Sequence, residues 1–312
     1  SSVPVGAQFK DFWGGAMWYD KAGDPSATAV VCSDNVFSYD KDSANGLWAY
    51  GRGLIINSTI TIAKNRMWFV ESRPPEEERP SEGRISGNAL WLHAHIVCLD
   101  TRTGDVIWDQ EVPTPDTLKH GSGHLVDFGL DKGYVQAAYG AYTEKGFLLV
   151  QSVGRTNETG QAAGGGIYNY LLFDDVRGKL DWHQGTPWRT DNHGGHIAHP
   201  VVLKDRVYIE PGGVSLSTGK VLDHQFGPRI GCATVVAGRD SLFFRGIGGA
   251  ITQWSLDSRT PSAWSRLRPS CWLNFVPAQG MMLIPEGGAG CSCGGWMETS
   301  LGLIPNALLE KK

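Results

Sequence analysis

Forty-one glycines, twelve tryptophans and a hairpin pattern that returns along the chain predict an all-β fold, a β-propeller of about six to seven four-stranded antiparallel blades. Glycine supplies the turns that join short strands, and β-branched and aromatic residues favour the strands themselves. The chain of 312 residues is 41% hydrophobic, enough for a sizeable core. Its 28 Lys and Arg against 32 Asp and Glu leave a net charge of −4 with no basic stripe, which argues against a nucleic-acid surface. No apolar run approaches the roughly 18 residues of a membrane-spanning helix.

The elements follow in order. Residues 1–25 do not read as a clean first hairpin. The segment from Val36 to Asp40, then Gly46 to Trp48, is a strand, a turn and a strand closed by Trp, with nothing that reads as its first half. A complete unit then begins with the hairpin Thr59–Glu71 and ends with the hairpin His95–Trp108, whose Asp100 and Gly104 shape the turn. Between them, residues 73–90 have the composition of a loop, and so do 154–168. A looser first hairpin ends Gly146–Gln151 and is followed by Tyr170–Trp182, turning at Gly178. His199–Glu210 leads to Val214–Leu222, turning at Gly219. The hairpin starting at Ala233 and ending at Arg245 leads to a degraded copy from Trp254 to Trp264, and Asn274–Glu286 opens a last unit. Two hairpins per unit make one four-stranded blade. Five units with a first hairpin and one half-unit give about six blades, in one propeller domain over 1–312 with room for one or two missing blades at its N-terminal end.

The segments LDTRTGDVIW (99–108), VSLSTGKVL (214–222) and LLFDDVRGKLDW (171–182) resemble the PQQ-like, or quinoprotein-like, β-propeller repeat. The final stretch is similar to uncharacterised secreted bacterial members of that family. The resemblance implies that the Gly turn and closing Trp dock one blade on the next. It implies little about activity, because one scaffold hosts unrelated functions.

The repeat frame aligns Glu71, Gln151, Glu210 and Arg245 at the end of the same strand in successive units, where large polar groups are not needed for packing. Thr59, His199 and Asn274 begin the preceding strand. An axial face carrying these residues is the expected ligand site. His193, His196 and His199 recur at steps of three in a glycine-containing loop suited to proton transfer. Arg73, Arg229, Arg245 and Arg268 adjoin repeat strands, and a guanidinium fork matches a carboxylate. Beside aromatic rings such as Trp272 they suit an acidic sugar. His93 and His95 alternate along a strand and read as structural.

Three functions follow from different classes. The first is an enzyme cleaving an acidic polysaccharide or oligosaccharide by β-elimination, with His196, His199, Arg245 and Arg268 as catalytic groups. Glu71, Arg73, Glu210, Arg229, Trp272 and Asn274 bind its substrate, and no cofactor or metal is expected. The second is a non-catalytic scaffold or binding module, with another chain completing or capping the propeller. The third is a quinone-dependent dehydrogenase holding PQQ and Ca²⁺, for which Glu71, Asn57 and Arg73 supply part of a site. Six cysteines, four of them late in the chain, predict a secreted or periplasmic protein with a disulfide among Cys232, Cys271, Cys291 and Cys293.

Overall fold

The computed structural model describes residues 29–75, 84–86, 91, 93–113, 133–156, 162–187, 199–227, 229, 234–246, 250–265, 267, 275–285, 300–304 and 306. Every named element among them is a strand. The chain divides into two compact units, residues 1–187 with 217–219, and residues 188–216 with 220–312.

The first unit begins with β1 (Ala29–Ser33) and the hairpin β2 (Val36–Tyr39)–β3 (Gly46–Tyr50). A meander follows: β4 (Leu54–Ala63), β5 (Arg66–Ser72), β7 (Ala94–Asp100) and β8 (Val106–Glu111), hydrogen-bonded in that order. On the free edge of β4 lie β1 and then β6 (Arg84–Ser86), which comes from the stretch expected to be loop. The next meander is β9 (Gly133–Thr143), β10 (Gly146–Thr156), β11 (Ala162–Phe173) and β12 (Leu180–Pro187). Here 154–168, read from composition as a loop, is mostly strand: Gly154 pairs with Gly166 and Val153 with Ile167. Its glycines extend the hairpin because paired backbones need no side chain to approach.

The second unit repeats the plan. β13 (Val201–Leu203), β14 (Arg206–Ile209) and β15 (Gly212–Ser215) form a three-stranded sheet, to which the bridge Val214–Val221 adds a fourth position. β16 (Val236–Ala237), β17 (Ser241–Arg245), β18 (Ile251–Ser255) and β19 (Pro261–Trp264) form a full meander. β20 (Val276–Ala278), β21 (Met281–Ile284) and β22 (Leu301–Leu303) form a third sheet. These all-β antiparallel meanders are the blades of a β-propeller, placed where the repeats put them.

Local chemistry explains the turns. In the first hairpin of a blade, Lys64 and Asn65 both take positive φ, as do Gln279 and Gly280, the backbone of a tight two-residue turn. In the second hairpin an Asp carboxylate gathers the turn: Asp100 Oδ1 accepts from Arg102 N at 2.8 Å, and Asp174 from Arg177 N at 2.8 Å. Gly104 and Gly178 then close the turns at φ 77° and 69°. Each of these glycines receives the closing Trp of the preceding blade. Trp48 lies over Gly104 and Trp108 over Gly178, while in the same unit Trp182 lies over Gly219. The indole N–H groups of Trp48 and Trp108 donate to the carbonyls of Thr101 and Asp175 at 2.9 and 3.1 Å. Where the second unit has Asp223 in place of a Trp, four residues after Gly219, the turn of β18–β19 carries Arg259 at φ 57° in place of Gly, and Arg259 Nη1 lies 3.7 Å from Asp223 Oδ2. The two residue types come and go together.

The core alternates across each strand. From β5, Met67 and Phe69 pack with Val36 and Tyr50, whereas Trp68 and Val70 pack with Phe147 and Leu149 of β10. In the second unit Tyr208 packs with Leu242 and Phe244, and Ile251 with Phe275 and Ile284.

Candidate functional site

At the end of β5 the first unit gathers charged groups that are far apart in sequence. Glu71 is 0% exposed, and its carboxylate accepts from Tyr50 Oη at 2.9 Å, Arg52 N at 2.9 Å, Gly53 N at 2.8 Å and Arg73 Nε at 2.9 Å. A buried carboxylate persists only when its lone pairs are met in this way. Gly53 passes hard against the carbonyl of Ser72, an approach that leaves no room for a Cβ. Arg73 Nη2 donates to Asp109 Oδ2 at 2.6 Å, and Asp109 Oδ1 lies 2.8 Å from His95 Nδ1. Arg73 Nη1 also approaches His95 Nδ1, at 3.1 Å. One ring nitrogen cannot both donate to Asp109 and accept from Arg73. The carboxylate's charge favours Nδ1–H donating to Asp109, which leaves the neutral ring's lone pair on Nε2.

Strand register makes this meeting. His95 on β7 lies opposite Glu71 on β5, and Asp109 on β8 lies opposite Val97. Burial opposes ionisation of Asp109, but hydrogen bonds from Arg73 and His95 hold its carboxyl below the usual range. Desolvation raises the Tyr50 phenol and the Glu71 charge adds to it, so Tyr50 remains a donor. Burial opposes the charge on Arg73, and Asp109 and Glu71 more than offset it. Two carboxylates against the Arg73 guanidinium leave one negative charge, which Arg52 Nη1, 3.8 Å from Asp109 Oδ2, offsets, and the stitch ties β3 and its connector to β5, β7 and β8.

The second unit has a smaller counterpart. Glu210, just past β14, accepts from Arg229 N at 2.7 Å and Arg229 Nε at 3.1 Å, and both residues are buried. Again a carboxylate at a strand end holds the backbone of a connector. The two glutamates nevertheless face opposite ways. Counted from the first residue after the hairpin turn, Glu71 comes five residues after Arg66, and Glu210 only four after Arg206. Since side chains alternate, one residue reverses the face. Glu71 shares the face of Met67 and Phe69, towards β2 and β3, whereas Glu210 shares the face of Tyr208, towards β17. Gln151 on β10 follows the Glu71 spacing and accepts from Asn169 Nδ2 at 3.0 Å, while Arg245 ends β17 with the Glu210 spacing.

Of the expected site residues, the structure joins Glu71 with Arg73 and Glu210 with Arg229. His199 is exposed just before β13, and Arg245 is buried. His196, Arg268, Trp272 and Asn274 lie outside the described residues, as do Cys232, Cys271, Cys291 and Cys293. The described cysteines, Cys32 and Cys98, are buried, and desolvation pushes the pKa of each thiol up to about 12. Tyr50, His95 and Asp109 were not expected in a site. His93 falls in a turn ahead of β7, so it does not share a strand face with His95. The one available signal was Asp109, a carboxylate directly after the blade-closing Trp108.

A quinone with bound calcium asks for free carboxylate and amide oxygens. Glu71 is engaged by its four donors, and Asn57 Oδ1 accepts from Ser33 Oγ at 2.8 Å. The Glu71, Asn57 and Arg73 set does not fit that group. Among the described residues no cluster of three His, Cys, Asp or Glu side chains is arranged to hold a metal.

No protein-family model matches this chain, and no curated protein matches it. Among solved structures it is similar to BamB from Moraxella catarrhalis, at 13% identity over 85% of this chain and 66% of that one, TM-score 0.46. It is similar to a europium-containing methanol dehydrogenase at 13% identity, covering 96% and 59%, TM-score 0.42. It is also similar to the quinohemoprotein alcohol dehydrogenase from Comamonas testosteroni at 9% identity, covering 91% and 57%, TM-score 0.43. These structural neighbours are β-propeller proteins of the PQQ-like repeat kind. The chain spans 66% or less of the length of each of the three.

Proposed function

We propose that this chain is an exported propeller scaffold that binds a partner and catalyses no bond cleavage of its own. One observation carries the reading: the buried glutamates put forward as sugar ligands, Glu71 and Glu210, are engaged in holding connector backbones and arginines of their own unit. A guanidinium whose charge already answers a buried carboxylate attracts a substrate carboxylate less than an uncommitted one does, and its fork has fewer donors left to offer. Export, to the periplasm or the medium, belongs to the proposal. No described helix is long and apolar enough to cross a membrane.

A second reading, β-elimination on an acidic polysaccharide, has one observation in its favour. His95 is oriented by Asp109 beside Arg73, and its side chain is 28% exposed. A base held by a carboxylate is the arrangement proton abstraction uses. One assay separates the two. The chain is incubated with pectate, alginate and chondroitin sulfate while the ultraviolet absorbance of an unsaturated uronate is followed. The scaffold reading expects the same flat trace for the wild type and for His95→Ala. Growth of absorbance in the wild type that falls about 10²–10⁴-fold in His95→Ala overturns it.

A further inference from the structure

The geometry points to the free edge of β2 as a docking slot for an extended segment of another polypeptide, which adds there as an antiparallel strand. This rests on the scaffold reading above and says where and how that scaffold binds.

The repeat defines the slot. In the other blades, the strand that opens the second hairpin is paired to the strand preceding that blade's connection: β7 to β5, β11 to β10, β15 to β14 and β18 to β17. β2 opens a second hairpin too, yet among the described residues it pairs with β3 alone. The strand that should lie beside it is β1, the preceding one in the chain. β1 is committed elsewhere, with Cys32 opposite Ile56 of β4 and Val30 opposite Ile85 of β6. Among the described residues no strand pairs with the outer backbone edge of Val36–Tyr39, and a two-stranded hairpin alone is marginal in water.

The slot has a shape and a charge. Beside the edge, Phe37 and Tyr39 are 47% and 60% exposed and touch edge to face at 5.3 Å. They line a cleft of about 530 Å³ with Asp34, Asn35, Ala49 and Gly51. Asp34 and Asp40 stand at the two ends of β2, and the turn's backbone and Ser43 hold the Asp40 carboxyl below the usual range. The preferred strand is therefore apolar at alternate positions, to cover Phe37 and Tyr39, and basic at its ends. A further blade is a poor occupant of the adjoining turn. The positive-φ position that is Gly104 or Gly178 under a docked Trp is here Ala44, at φ 58°. Its methyl group stands where the indole lies in the other blades.

The probe is a fluorescent peptide of alternating valine and threonine with lysine at each end. The control is the same peptide interrupted by proline, which removes edge hydrogen bonds. Anisotropy titration of the full chain should show saturable binding of the first peptide and at least tenfold weaker binding of the second. Phe37→Lys and Tyr39→Lys, both on exposed side chains, should each weaken binding at least tenfold. The amides of 36–39 should exchange more slowly with peptide bound. Absence of binding by the wild type overturns the inference. So does binding that both lysine variants leave unchanged, an outcome that leaves the scaffold reading standing. Failure of the scaffold reading is read separately, in the uronate assay.

Discussion

The docking of Trp48 on Gly104 sets up a sharp test of how the blades hold together. In Gly104→Ala the new methyl carbon meets Trp48 Cγ and Cδ2 at 2.8 Å and Cβ at 3.0 Å, well inside van der Waals contact. The backbone is at φ 77°, where an L side chain costs roughly 1–2 kcal/mol. Moving a packed ring adds about 1–3 kcal/mol. If the indole shifts away from Thr101 O, the 2.9 Å hydrogen bond goes with it, about 1 kcal/mol more. A loss of about 2–5 kcal/mol is expected, read as a lower urea midpoint at unchanged slope by tryptophan fluorescence. Ala44→Gly is the opposite case: the same kind of turn at φ 58°, with a residue that already suffers the strain. Relief there should raise stability by up to about 1 kcal/mol. A Gly104→Ala protein within about 0.5 kcal/mol of wild type would refute the reasoning, because that is the scatter of unremarkable surface changes.

Glu71→Ala strands Tyr50 Oη, Arg73 Nε and two backbone N–H groups at a buried site, and should cost about 3–5 kcal/mol in the same unfolding assay, far more than Asp109→Ala at the half-buried end of the network. The acid limb of stability should also carry the mark of Asp109. Its folded pKa is depressed, so its stabilisation is complete above the ordinary carboxylate pKa of about 4 and drains as pH falls through the lower folded value. Asp109→Asn should flatten the stability profile in that window, measured as urea midpoints at successive pH.

What the sequence made legible was short-range. Asp100, Gly104 and Trp108 lie within one hairpin, and turn chemistry alone announces them, so the blades fell where the repeats put them. The environment of the aligned glutamates was not legible, because a difference of one residue between β5 and β14 decides which face each carboxylate takes. The partners of Glu71 were harder still. His95 and Asp109 meet Glu71 only when the β5–β7 and β7–β8 pairings are in register, and Tyr50 only when the separate β2–β3 hairpin packs on that sheet; no local pattern encodes that meeting. The paired glycines of β10 and β11 misled in the other direction, since a glycine-rich composition describes a loop and a close-paired hairpin equally well.

The Trp–Gly lock also has a direction in time. Each indole is made before the turn that receives it: Trp48 precedes Thr101 by 53 residues, and Trp108 precedes Asp175 by 67. At about 5–20 residues per second of synthesis, each blade closed by a tryptophan holds it in water for several seconds until the next one emerges. Assembly in the cell is then vectorial, each blade waiting on its successor. A ribosome stalled between Trp108 and Gly178 leaves exposed an aromatic surface of the kind that chaperones bind.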